Sequence, residues 1–123
     1  DRSQHPEDDA EKVITADDRI VQVNRSIEAS QAHGEYIGVA RFSKAGADTL
    51  RSAYHETRRQ QKGAVWKAGV PFRQAYLIHL YEQMLDADQT FHMVTTDGQY
   101  MEVDTEEDFA QANQHWPRTY GSP

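Results

Sequence analysis

The 123-residue chain has no cysteine. Disulfides, thiol nucleophiles and thiolate metal sites are therefore excluded. That absence suits a reducing compartment, and the cytoplasm is the expected location. Long apolar runs are also missing: none approaches the ~20 residues of a membrane-spanning helix, so no membrane partner is expected. Positive charge is scarce, with 13 Lys and Arg against 20 Asp and Glu and a net charge of −7. A nucleic-acid or anionic-membrane surface needs a clustered positive face. No nucleic-acid partner is expected, although a local phosphate pocket is still allowed. Only 37% of the residues are hydrophobic, so much of the chain must face water. The six histidines, at 5, 33, 55, 79, 92 and 115, form no pair at metal-helix spacing, which argues against zinc. His79, on an apolar stripe, reads as a satisfied core residue. Neither a Gly-x-Ser-x-Gly elbow, a Gly-x-Gly-x-x-Gly turn nor a P-loop occurs, so a complete nucleotide-binding loop is missing.

What is present fits one domain with one core. Residues 1–11 are polar, with Pro6 and the acids Glu7, Asp8 and Asp9, and read as a flexible lead-in. Residues 12–25 read as a hairpin, with β-prone runs around Val13-Ile14-Thr15 and Ile20-Val21-Gln22-Val23 and a turn at 16–19. A connector with a helical turn near 27–31 follows. Residues 34–43 carry apolar side chains on both faces, which predicts the central strand. Gly38, having no side chain, would let another backbone or a ligand come close there. Ser43 can cap a helix over 44–61, where Ala47, Leu50, Tyr54 and Thr57 share a face.

After a Gly-containing loop, Pro71 suits a helix start, and a second helix is predicted over 72–86. Phe72, Tyr76, His79, Leu80 and Met84 make one stripe, widened by Leu77, Tyr81 and Leu85. A strand over 90–96, an Asp97-Gly98 turn and a strand over 100–104 lead to a last helix over 105–116. Residues 117–123 read as a flexible tail. This order predicts a mixed α/β fold, with helices packed on a small, largely antiparallel sheet over residues 12–116.

The run Tyr100-Met101-Glu102-Val103-Asp104-Thr105-Glu106-Glu107-Asp108-Phe109 concentrates chemistry. On a strand, Tyr100, Glu102 and Asp104 would share one face, and Met101 and Val103 would turn to a core. The two carboxylates would stand on Cα atoms ~6–7 Å apart, within reach of one cation. Thr105 with Asp108 is a variant capping box. In the plainest reading Asp104 only helps to cap the helix.

Two blocks together resemble the second half of a nucleotidyltransferase of the glycosyltransferase-A-like, nucleoside-diphospho-sugar pyrophosphorylase superfamily. The nearest likeness is to the choline-phosphate and aminoethylphosphonate cytidylyltransferase branch. One block is Val21-Gln22-Val23-Asn24-Arg25, a connector, then Gly34-Glu35-Tyr36-Ile37-Gly38 and the residues up to Ser43. It is similar to a basic residue after a strand, followed by a Gly-Glu-aromatic-Ile-Gly strand. The other is the run from Tyr100 to Phe109, similar to aromatic-x-Glu-Ile-Asp-Thr-x-x-Asp-Leu.

The resemblance implies a partial nucleotide-diphospho-sugar transferase fold. Such enzymes join a nucleoside triphosphate, here CTP, to a phosphate- or phosphonate-bearing acceptor and release pyrophosphate. Asp104 then matches the Mg²⁺ ligand. Arg25 stands where relatives carry a lysine that meets the acceptor phosphate. Glu102 and Tyr100 match the acceptor pocket, and Glu35 and Tyr76 are further candidates for a cationic head group. The Gly-rich triphosphate loop and the first metal-binding Asp of such enzymes are not in this sequence, and Tyr100 replaces the commoner Trp. The chain is therefore expected to be the acceptor-side half of a larger enzyme, inactive alone, that pairs with an N-terminal half or with itself. The alternative is a non-catalytic substrate-binding or protein-interaction module built on the same half-fold.

Overall fold

The computed structural model describes residues 10–61, 65–96 and 100–115. The predicted hairpin forms from β1, Lys12–Ala16, and β2, Arg19–Asn24. Val13 faces Val23, Ala16 faces Arg19, and the register shifts by a bulge between Ile14 and Thr15. Asp17 turns the chain at a φ of 53°, a left-handed value that Asp tolerates better than bulkier residues. β3, Gly34–Glu35, pairs antiparallel with the outer side of β1, and β4, Phe91–His92, with the outer side of β2. Among the described residues the sheet order is β3-β1-β2-β4. Three helices accompany it: α1, Lys44–Gln60, α2, Leu77–Asp86, and α3, Glu106–His115. The result is the expected mixed α/β arrangement, helices on a small antiparallel sheet.

The core lies where α2 packs on β2, with α1 packed in turn on α2. Val13, Val23, Ile78 and Tyr81 form its centre, flanked by Ile20, Tyr36, Phe42, Leu50, Leu85 and Phe91. Full burial of a side chain such as Ile78 stabilises the fold by about 1.5–3 kcal/mol, and the partly buried flanking residues contribute less. Ile78 is the most deeply buried of the central residues, only 1% exposed. It lies outside the predicted stripe, whereas Leu77, placed inside that stripe, is half exposed. Rings interlock around Tyr81: Tyr36 at 5.9 Å, Phe42 at 6.1 Å and Phe91 at 5.3 Å between centroids. Burial and the hydrogen bond with Tyr36 push the Tyr81 phenol well above its usual pKa.

The starts of α1 and α3 follow the sequence closely. Ser43 Oγ accepts from the Gly46 amide at 3.0 Å and caps α1. Thr105 and Asp108 form the expected capping box. The Asp108 amide donates to Thr105 Oγ1 at 3.1 Å, and the Thr105 amide donates to Asp108 Oδ2 at 2.9 Å. Glu106, Glu107 and Asp108 place negative charge in the first turn of α3, and Arg58 and Arg59 place positive charge in the last turn of α1. Both suit the helix dipole.

Three expectations are corrected. Residues 34–43 are not the central strand: only Gly34–Glu35 pair, at an edge, and β1 takes the middle. Gly38 breaks the extended run with a φ of 77°, and its surroundings are open, so its role is a left-handed turn and not a close approach. Tyr36 and Phe42, on either side of the break, reach the core, while Val39 between them is 72% exposed. Next, residues 90–96 pair only at Phe91–His92, and residues 100–104 form no strand. Val103, assigned to a core, is half exposed. Finally, α2 begins at Leu77 and not at residue 72; a separate 3-10 turn, Phe72–Gln74, follows Pro71. The Asp97-Gly98 turn and the tail fall outside the described residues.

Candidate functional site

Arg25 follows directly on β2, and its guanidinium carbon lies 3.9 Å from the centre of the Tyr76 ring. Stacking of this kind contributes about 0.5–2 kcal/mol, more as water is excluded. On its other side Arg25 Nη2 meets Glu11 Oε1 at 3.2 Å. Lys12 lies beside this pair, buried, with its Nζ donating to the Arg25 carbonyl at 2.9 Å. The sequence-predicted Arg25 and Tyr76 are thus brought together, with Arg25 lying over a face of the ring.

Tyr76 owes its position to His79. The Tyr76 amide donates to His79 Nδ1 at 3.0 Å, and the His79 amide donates back to the Tyr76 carbonyl at 3.1 Å. His79 sits three residues into the helix start, where Glu or Gln reaches back in a capping box. It is buried, as expected, and its ring packs edge-on against Trp66 at 6.3 Å. Burial holds its imidazole below the ordinary value. Glu82 and Glu11 pull it back up, and Arg25 and Lys67 push it further down.

Trp66 is fixed in turn: its Nε1 donates to Gln83 Oε1 at 3.1 Å, and Gln83 Nε2 donates to Thr57 Oγ1 of α1 at 2.8 Å. Glu82 anchors the floor of this region. It accepts from Asn24 Nδ2 at 2.7 Å and lies 3.5 Å from Lys67 Nζ, which also reaches Asp86 at 2.5 Å.

A second pair forms between the segment after residue 100 and the loop after β3. The Tyr100 hydroxyl donates to Glu102 Oε1 at 2.6 Å and lies 3.1 Å from the Ile37 carbonyl. An acid and an aromatic ring therefore do meet here, without a strand to align them. Asp104 stands apart from this pair. Its amide donates to Asp108 Oδ2 at 3.2 Å, its side chain is exposed, and among the described residues no donor engages its carboxylate. Glu35 lies exposed on β3, opposite Lys12, which itself faces Asn24.

Three residues of this region were not singled out for function from the sequence. Glu11 was read as lead-in, yet its carbonyl holds the Tyr36 amide at 2.8 Å and its carboxylate holds Arg25. The turn alone would have misplaced it: a regular hairpin closed at Asp17-Asp18 sets Arg25 against Ala10, and only the bulge between Ile14 and Thr15 moves Glu11 opposite Arg25. Trp66 and Glu82 gave no local signal, because their partners come from other elements.

Two chemistries are available. Arg25, lying over a ring and paired with Glu11, is shaped to meet phosphate or carboxylate oxygens. Glu102 beside an aromatic ring suits an ammonium group. Among the described residues no three His, Asp or Glu side chains converge to hold a metal unaided. Asp104 presents a single exposed carboxylate. The chain is thus a mixed α/β protein with an arginine–aromatic pair and an acid–aromatic pair on its surface. Comparison with protein families, with curated proteins and with solved structures finds no match.

Proposed function

We propose that the chain is the acceptor-binding half of a Mg²⁺-dependent nucleotidyltransferase, joining a nucleoside triphosphate such as CTP to an aminoalkyl phosphate or phosphonate acceptor. The single observation that carries this reading is Arg25 stacked on Tyr76 and paired with Glu11. An arginine so held presents its donors in one orientation, which lowers the entropy lost on gripping a phosphate. Glu102 and Tyr100 supply the opposite polarity that a cationic head group needs. The two pairs offer the two polarities of an aminoalkyl phosphate, an anion grip at Arg25 and a carboxylate beside an aromatic ring at Glu102. The motif from Tyr100 to Asp108 and the run from Val21 to Arg25 support the same reading through their resemblance to cytidylyltransferases. Asp104 is the residue that would hold Mg²⁺, and the ion there would neutralise charge on the reacting phosphate.

Arg25 has two tasks in this scheme. It trades part of its Glu11 pairing for the acceptor phosphate, and it keeps that phosphate oriented for attack on the nucleotide. Isotope-resolved NMR with phosphocholine or 2-aminoethylphosphonate tests the binding step. The Arg25 side-chain and Tyr76 ring signals should shift on titration, and Arg25→Ala should abolish the response. Saturating acceptor that leaves Arg25, Tyr76, Tyr100 and Glu102 all unmoved would remove the reading.

A further inference from the structure

The hydrogen bond under Tyr76 has a chemical requirement. A backbone amide can only donate, so His79 Nδ1 must carry a lone pair, and the ring must be neutral with its proton on Nε2. Adding a proton to Nδ1 would set one N–H against another. It would also place a cation beside Arg25 and Lys67. We infer that His79 is an acid-sensitive latch: in its neutral form it holds Tyr76 beneath Arg25, and on protonation it releases Tyr76 and with it the stacked guanidinium.

The geometry makes this latch specific. Tyr76 is the residue just before α2, so its ring direction depends on how the helix start is tied off. His79 supplies that tie from a buried position against Trp66, so losing the acceptor there leaves a partly buried amide without its partner. The charged groups facing His79 come from every neighbouring element. Glu82 lies on α2 itself, Glu11 precedes β1, Arg25 follows β2, and Lys67 lies in the 3-10 turn Lys67–Gly69. The two acids and two bases largely oppose one another, which leaves burial as the dominant influence, and burial favours the neutral ring. A contrasting histidine exists on β1's side of the sheet. His33 Nδ1 accepts from the Thr15 amide at 3.1 Å, but it is exposed, so water can take over that bond.

The inference concerns the free protein and holds whether or not the site binds an aminoalkyl phosphate. A pH titration of the full chain by NMR, from pH 8 to pH 5, provides the test, with far-UV circular dichroism confirming that the fold persists. Stacking on Tyr76 moves the Arg25 side-chain protons upfield. That displacement should disappear together with the Tyr76 amide shift, at the same midpoint as the His79 ring and below the ordinary imidazole value. His79→Gln keeps an acceptor at the same helix position and cannot be protonated, so the stack should survive to pH 5. Arg25 and Tyr76 signals that stay fixed while His79 titrates would overturn the latch. Loss of the stack in His79→Gln at pH 5 would also overturn it, because the response would then belong to Glu11 or Glu82. Should His79→Gln not fold, the titration of the unaltered chain decides by itself.

Discussion

Asp104 and Asp108, one helical turn apart, do different work. Asp108 is buried and its Oδ2 accepts three donors: the Asp104 amide, the Thr105 amide and, at 2.7 Å, the Thr105 hydroxyl. Asp108→Ala should therefore cost about 2 kcal/mol, the order expected for hydrogen bonds to a charged group. Thr105→Ala should cost ~1 kcal/mol as a lost cap. Denaturant midpoints would show both, and equal costs would mean that the carboxylate is not the centre of the box. Asp104→Asn removes a charge that nothing in the described structure engages, so the melting temperature should hardly move. If, as proposed, the chain serves a nucleotidyltransferase in which Asp104 holds Mg²⁺, the same change should lower kcat of that enzyme by roughly a hundredfold or more, measured as pyrophosphate release. Near-normal turnover would return Asp104 to the role of a bystander at the helix start. The capping box was legible because it is local, a matter of spacing within four residues. The function of His79 was not, because it depends on where α2 begins. A helix starting at residue 72 would have placed Tyr76 inside it, with its amide already bonded.

At the scale of elements, hairpin and helices were readable, and the isolated strands were not. β1 and β2 announce themselves by β-prone runs on either side of a turn, and Ser43 announces α1. Residues 34–43 misled because apolar content on both faces looks the same for a buried strand as for a loop that sends alternate side chains into a core. Tyr36 and Phe42 are partly buried by their contacts with Tyr81, which lies in another element. Gly38 decides the matter by its φ of 77°. Gly38→Ala meets no neighbouring atom within 4 Å, so its effect is conformational alone, a loss of ~1 kcal/mol. A variant as stable as the parent in urea would mean that the turn readily adopts another backbone conformation. The same distinction applies to residues 90–96: Phe91 is anchored by rings, whereas Val94 is 92% exposed.

For the molecule as a whole, pH sets a balance that His79 tips. Its folded pKa lies below the 6.5 of an ordinary imidazole, so the unfolded chain takes up the proton first. The stability it contributes is complete above pH 6.5 and is lost as the pH falls through 6.5 towards the lower folded value. Urea midpoints should therefore drop between neutral pH and pH 5, and His79→Gln should flatten that slope. An unchanged slope in the variant would assign the effect to other groups. Exposed apolar side chains, among them Val94 at 92% and Phe109 at 63%, are the chain's other global property. On the proposed half-enzyme reading they should drive self-association at high concentration. Sedimentation of Val94→Lys with Phe109→Lys should show a shift towards monomer. A parent chain that is already monomeric would argue against an incomplete surface.

The edge strands β3 and β4 are each two residues long, while β1 and β2 are bonded along their length. Protection in such a sheet is graded and not shared. Amide hydrogen exchange should be slowest in the hairpin around Val13 and Val23, and fast on both flanks. The flanks can then open and reclose many times while the hairpin and α2 stay intact. Arg25, at the end of β2, is thus rooted in the slowest-opening part of the fold, while Tyr100 and Glu102, outside any strand, belong to the fastest. A ligand bridging the two would slow exchange in the segment from 100 to 104 far more than in the hairpin, so the gain in order on binding would fall almost entirely on one side of the site.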